Sequence, residues 1–241
     1  MKALVIGGSG GIGHEIAKRL SHKVSVLGIH AGSKSKKLDS LLEYTQKNTR
    51  VEVFLQHFSL KDGTKAFFNS FESTELQVFL KDADILCVCF GPFLQKPIHQ
   101  MTKEEWLEMS FFNYTFPGYL ISQVLPAMIE KKFGKILVFG GTRTEQLRAI
   151  KTNAAYGAAK TALCSLVQSI STSYANQNIL CNAILPGFVD TEYLDERQKK
   201  DCESLGSKLI NVGEIADAAM FLLNSEHISG ELLRIDGGLA F

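Results

Sequence analysis

A doubly wound α/β domain, with a parallel sheet of about seven strands in a three-layer arrangement, is the architecture this sequence predicts. Three observations carry it. Short apolar runs alternate with longer helical ones along all 241 residues. The short runs are rich in Val, Ile, Leu and Phe with little polar alternation, as strands buried on both faces of a parallel sheet require. No Pro/Ser-rich linker, internal repeat or low-complexity tract divides the chain, so residues 1–241 read as a single domain.

Each element follows in order. A strand at 3–6 runs straight into glycines and a helix at 12–21. A strand at 24–29 leads to a helix at 38–46, and one at 51–55 to a helix at 64–71. A fourth strand, 84–89, precedes a long helix at 103–132. Thr102-x-x-Glu105 reads as the capping box that opens this helix, and Pro117 and Pro126 should kink or shorten it. Strand 135–139 precedes helix 154–175, strand 179–184 precedes helix 214–223, and strand 231–235 completes the set. Right-handed crossovers then place helices on both faces of the sheet.

Composition narrows the function classes. Apolar residues make up 45% of the chain and charged residues 21%, an ordinary globular balance. The 26 Lys and Arg against 25 Asp and Glu leave +1, so no global field draws the chain to nucleic acid or to a membrane surface. The apolar stretch 76–94 is broken by Lys81, Asp82 and Asp84, which predicts no membrane span. Glycines at 7 and 8 come too early for a signal-peptide apolar region. The five cysteines, at 87, 89, 164, 181 and 202, form no C-x-x-C pair and read as reduced core thiols, which predicts a cytoplasmic protein. The six His show no metal-ligand spacing, so no metal is expected.

The chemistry begins at Gly7-Gly8-Ser9-Gly10-Gly11-Ile12-Gly13, between the first strand and its helix. Gly7 permits a tight turn, Gly11 lets backbone approach a pyrophosphate, and Gly13 lets helix and strand pack closely. The helix N-terminus adds unpaired N–H groups and a positive dipole. A dinucleotide is therefore the expected ligand. After the second strand comes Leu27-Gly28-Ile29-His30-Ala31-Gly32-Ser33-Lys34, with no acid to bond a ribose 2′-hydroxyl. His30, Ser33 and Lys34 are candidates to contact a 2′-phosphate, so NADP is expected over NAD.

Tyr156 and Lys160 stand at i and i+4 of a predicted helix and share one face. A phenol of pKa ~10 is a poor acid–base catalyst near neutrality unless a cation stabilises its phenolate. Lys160 is placed to do that.

The glycine spacing Gly-x-x-x-Gly-x-Gly, Tyr156-Gly157-Ala158-Ala159-Lys160, Asn113 in the fourth helix, Pro186-Gly187-x-x-x-Thr191, and Gly230 with Asp236-Gly237-Gly238 follow one another in a known order. In these the sequence resembles the short-chain dehydrogenase/reductase family nearly end to end. Its C-terminal part looks most like the β-ketoacyl-acyl-carrier-protein reductase branch. The resemblance implies a Rossmann fold and interconversion of a carbonyl and an alcohol by hydride transfer, with a 3-oxoacyl thioester as a candidate substrate. It implies that Tyr156 protonates the carbonyl oxygen, Lys160 also holds the nicotinamide ribose, and Asn113 maintains a water-linked proton path. For the cofactor it implies contacts from Gly7, Ser9, Gly11, Ile12 and Gly13, from His30 and Ser33, and from Ser59 and Leu60. Phe90, Gly91, Tyr156, Lys160, Pro186, Gly187, Val189 and Thr191 complete the set. It implies a homotetramer built through the fourth and fifth long helices.

The sequence departs from the family pattern in places. The catalytic Ser aligns with Gly141, and Thr142, the next residue, is the candidate stand-in. The family's Asn-Asn-Ala-Gly is Val88-Cys89-Phe90-Gly91 here, its adenine-contacting Asp is Ser59, and the Thr before the first glycine is Ile6. Two rivals stay open: a reductase of an unrelated small carbonyl (sugar, pteridine or polyketide-like) and a non-catalytic NADP-binding sensor or regulatory subunit.

Overall fold

The computed structural model describes residues 1–239; residues 240 and 241, which the single-domain expectation also covers, lie outside the described residues. Strand β1 (Lys2–Ile6) enters helix α1 (Gly11–Leu20), and β2 (Val26–Ala31) precedes α2 (Lys36–Thr45). Next come β3 (Arg50–Leu55), α3 (Gly63–Glu72) and α4 (Glu75–Leu80), then β4 (Ile85–Val88), α5 (Lys103–Ser110) and α6 (Phe116–Lys131). Then follow β5 (Gly134–Phe139), α7 (Ala154–Tyr174), β6 (Ile179–Pro186), the short β7 (Val189–Asp190), α8 (Glu196–Ser204) and the short β8 (Ile210–Asn211). Helix α9 (Val212–Asn224) and β9 (Leu232–Ile235) close the order.

Seven strands pair in the order β3-β2-β1-β4-β5-β6-β9, every pair parallel, so the doubly wound Rossmann sheet is as the sequence predicts. β1 and β4 lie side by side although four helices and two strands separate them in the chain. Strand order reverses there, and the crevice beyond the carboxyl ends is where such sheets bind ligands. Both faces are covered. Leu4, Ile6, Leu86, Val88, Ile136 and Val138 enter one core, while Ala3, Val5, Ile85, Cys87 and Leu137 enter the other. The period-2 alternation is therefore present, hidden in sequence because both faces are apolar. The first core holds the aromatic cluster of Phe58, Phe67, Phe71, Phe112 and Phe116, with Phe67 and Phe116 edge to face at 5.0 Å. Truncating the fully buried Phe71 to Ala costs on the order of 3–5 kcal/mol.

Three expectations need correction. The long helix 103–132 is interrupted: α5 gives way to a π-helical turn, Phe111–Thr115, before α6. Pro117 sits at the start of α6, where a missing N–H is harmless, and Pro126 is carried inside it. Helix α4 forms where the sequence assigns no element, at the start of the apolar stretch 76–94, with Thr74 accepting a hydrogen bond from the Gln77 amide as its cap. Helix α8 forms in a stretch to which the sequence assigns no element, opened by a capping box between Asp195 and Gln198.

Candidate active site

The glycine turn lies at the carboxyl end of β1, against β4. Gly7 adopts φ +76, and a Cβ there would stand 3.0 Å from the Phe90 amide nitrogen. A Cβ on Gly13 would collide with the Gly7 carbonyl oxygen, so helix α1 approaches the turn as closely as a bare backbone allows. Ser9 and Ile12 are half-buried.

His30 is set differently from its expected place at a phosphate. It is the last residue but one of β2 and only 2% exposed. Its Nδ1 accepts from the Gly7 amide at 3.1 Å, its Nε2 lies 2.9 Å from the Gln56 carbonyl, and its ring stacks on Phe58 at 4.1 Å. Burial holds its pKa down to about 4, against a smaller opposing pull from the Gln56 carbonyl. Both nitrogens of this neutral ring serve the protein, so His30 braces the glycine turn and leaves neither facing a ligand. Ser33 and Lys34 are exposed beyond β2. Ser35 caps α2 by accepting from Leu38 N. Ser59 is exposed and accepts from the Lys61 amide, and Leu60 packs against the aromatic core.

Across the sheet's carboxyl edge, α7 presents Tyr156 and Lys160 one turn apart. Lys160 is 5% exposed, donates to the Phe139 carbonyl at 2.6 Å, and places Nζ 5.8 Å from the centre of the Tyr156 ring. Burial lowers its pKa to about 8. Tyr156 is half-buried with the Phe93 ring edge-on at 5.0 Å, and burial pushes its phenol up to about 12. Asn113 lies in the π turn, fully buried, its Nδ2 donating to the carbonyls of Pro92 and Met109. Its Oδ1 has no hydrogen-bond partner among the described residues. That atom and Lys160 Nζ lie 2.6 and 3.1 Å from the point where a Cβ on Gly91 would stand. The glycine at 91 thus opens a small polar niche between Asn113 and Lys160.

Gly141 and Thr142 follow β5. A Cβ at Gly141 would stand 3.4 Å from the Tyr156 phenol oxygen, so position 141 is the one aimed at Tyr156. The Thr142 hydroxyl donates instead to Oδ2 of the buried Asp236, which also accepts from the Gly238 amide through Oδ1. Gly141, Thr142 and Tyr156 border a cavity of about 750 Å³, with Phe93, Ile150, Pro186, Gly187, Phe188, Leu194 and Leu205 among its walls. Val189 is buried in β7 and Thr191 half-buried just beyond it. Reasoning from sequence missed Asp236 as the partner of Thr142, and the residues that lie over the glycine turn, Glu192 and Tyr193. Only their adjacency to Thr191 pointed toward them.

The model of the family described as short chain dehydrogenase matches residues 1–201. The chain belongs to the short-chain dehydrogenase/reductase family. It is 30% identical over 252 residues to the 3-oxoacyl-acyl-carrier-protein reductase of Chlamydia trachomatis, covering 99% of this chain and 96% of the relative. It is 27% identical over 246 residues to nodulation protein G of Rhizobium sp. strain N33, covering 99% and 96%. Among solved structures, the 3-oxoacyl-acyl-carrier-protein reductase of Agrobacterium tumefaciens C58 with NADP bound matches in fold with a TM-score of 0.80 at 23% identity. That match covers 98% of this chain and 93% of the other. As a short-chain dehydrogenase/reductase the protein is an oxidoreductase acting on a small molecule with a nicotinamide cofactor. Among the described residues, no helix is long and apolar enough to cross a membrane.

The residues present fit such a cofactor. The glycine turn lies at the sheet's switch point, residues 27–34 hold no acid, and the orphaned Asn113 Oδ1 beside Lys160 leaves a polar niche waiting for a partner.

Proposed function

We propose that the protein interconverts a small-molecule carbonyl and its alcohol with NADP(H), Tyr156 moving the proton. When bound, the cofactor supplies or accepts the hydride. One observation carries the reading: the Tyr156 phenol at the cavity wall, with Lys160 behind it and Asn113 opening on the same niche. A phenol held near 12 gives up its proton reluctantly, and a neighbouring ammonium lowers that cost by favouring the phenolate. Lys160, at about 8, is mostly protonated at neutral pH and can do so. A water between Asn113 Oδ1 and Lys160 Nζ would satisfy the orphaned oxygen and extend a proton path inward. The turn from Gly7 to Gly13 would hold pyrophosphate, Ser33 and Lys34 the 2′-phosphate, and Pro186, Gly187, Val189 and Thr191 the nicotinamide side. Thr142 can serve as second donor to the carbonyl only by releasing Asp236.

A 3-oxoacyl thioester is the favoured substrate. The relative's name supports it, and so do the apolar walls Phe93, Ile150, Phe188 and Leu205. A cytoplasmic setting agrees with five free cysteines, and a homotetramer agrees with the exposed Trp106, Leu107 and Tyr114 on α5 and the π turn. The test is NADPH oxidation followed by absorbance with acetoacetyl thioester, set beside sugar, pteridine and polyketide-like carbonyls. Turnover of the thioester is expected. Gly141, which brings no hydroxyl to Tyr156, favours a second reading, an NADP-binding regulatory subunit. Tight NADPH binding with no turnover of any carbonyl would decide for it.

A further inference from the structure

The segment after β7 lies over the glycine turn. The Glu192 carboxylate accepts from the Gly11 amide at 3.1 Å, in the first turn of α1. The same oxygen, Oε1, pairs with Lys37 Nζ of α2 at 2.7 Å. Tyr193 lies alongside: a Cβ on Gly11 would stand 3.2 Å from its ring, and one on Gly10 would collide with its hydroxyl. Glu192 and Lys37 are each about two-fifths exposed, so the contact sits at the surface and can open without disturbing a core. Partial burial pulls the Glu192 carboxyl upward, but Lys37 and the Gly11 amide outweigh it and hold its pKa below the ordinary value.

Gly11 is where the backbone must meet a pyrophosphate if the turn binds a dinucleotide, and an anion of this chain is already there. We propose that Glu192 is an internal stand-in for the cofactor phosphate, an autoinhibitory contact that NADP(H) must displace from Gly11 and Lys37 before it can bind. The inference rests on the cofactor reading above. A binding site blocked part of the time has its apparent affinity reduced by the open fraction. A hydrogen bond to a charged group, helped by a half-exposed ion pair, leaves the open fraction at about one part in 5 to 30. Displacement also frees the Lys37 ammonium beside the phosphates, so the latch and the ligand compete for the same two donors.

The experiment compares the full chain with Glu192→Gln, which keeps the side chain's size and removes its charge. Two readings are taken: the NADPH dissociation constant by fluorescence titration, and hydrogen exchange at the Gly11 amide in the empty protein. The expected result is NADPH binding about 5- to 30-fold tighter in the variant, with faster exchange at Gly11. Glu192→Asp, one methylene shorter, should lie between. Unchanged exchange at Gly11 overturns the proposal, because the contact is then not held. Equal or weaker NADPH binding in Glu192→Gln overturns it while leaving the cofactor reading intact. Failure of both proteins to bind either nicotinamide dinucleotide sinks the cofactor reading, and the latch with it.

Discussion

A Cβ placed on Gly141 would stand 3.4 Å from the Tyr156 phenol oxygen, with Tyr156 Cε1 at 3.5 Å and Thr144 Cγ2 at 3.6 Å as its next neighbours. These are ordinary contacts, and Gly141 does not occupy the left-handed region, so a serine fits there without strain. Its hydroxyl would stand beside the Tyr156 phenol, where the proposed mechanism puts the substrate oxygen. Gly141→Ser is therefore expected to raise turnover of acetoacetyl thioester by about tenfold or more, since one donor aimed at a developing oxyanion is worth ~10²–10³-fold when fully aligned. No gain in kcat would mean that the reacting oxygen sits elsewhere in the cavity.

Tyr156→Phe keeps the ring against Phe93 and removes the transferable proton. Turnover should fall by ~10²–10⁴-fold, with the NADPH dissociation constant nearly unchanged. A drop in cofactor affinity of the same size would recast Tyr156 as a binding residue.

Thr142→Ala tests a different bond. Asp236 is 4% exposed and accepts the Thr142 hydroxyl, so its loss leaves a buried carboxylate short of a donor. A stability loss of about 1–3 kcal/mol is expected in urea denaturation. If turnover also falls as far as in Tyr156→Phe, the hydroxyl swings to the substrate during reaction. If stability falls and turnover holds, Thr142 belongs to the Asp236 turn.

How much of this was legible turns on sequence distance. The seven strands were readable because each is a near-continuous apolar run between turns. Even so, β2 begins at Val26 rather than 24: the Val24 amide still bonds the Leu20 carbonyl at the end of α1, and the pairing to β1 starts later. Helix α4 was lost inside an apolar run, where strand and buried helix look alike. The Tyr156–Lys160 pair was visible because both lie on one helix. Thr142 with Asp236 lie 94 positions apart, and Gly11 with Glu192 lie 181 apart. No local pattern reveals either. His30 looked like a ligand because it follows an apolar strand, yet it is still inside that strand.

Cofactor preference can be read at Ser33. Ser33 and Lys34 are exposed beyond β2 with no carboxylate among residues 27–34, so NADPH should bind more tightly than NADH. Ser33→Asp should weaken NADPH binding about tenfold or more, as expected for a like charge roughly 4 Å away near a protein surface, and spare NADH. Fluorescence titration of both cofactors against both proteins checks this. Tighter NADH binding by the unaltered protein would remove Ser33 and Lys34 from the 2′-phosphate site.

His30 sets an acid limit on the glycine turn. Its folded pKa, about 4, lies below the unfolded value of about 6.5, so the native state favours the neutral ring. Above pH ~6.5 both states are neutral and the His30 contribution is fully present. As pH falls from ~6.5 toward ~4, the unfolded chain takes up a proton that the buried ring refuses, and stability is lost across that window. Protonation would also put a proton on Nδ1, the atom that accepts from the Gly7 amide, and so release the turn. His14, at the start of α1, is lowered by burial and by Lys18 and adds a slope of the same sign. Urea denaturation of the protein from pH 7 to pH 4 should therefore show falling stability. His30→Gln should start lower at pH 7, having lost contacts to Gly7 or Gln56, and decline less steeply toward pH 4. Parallel slopes for the two proteins would show that the ring titrates alike in folded and unfolded chains, contrary to its burial between β2 and Phe58.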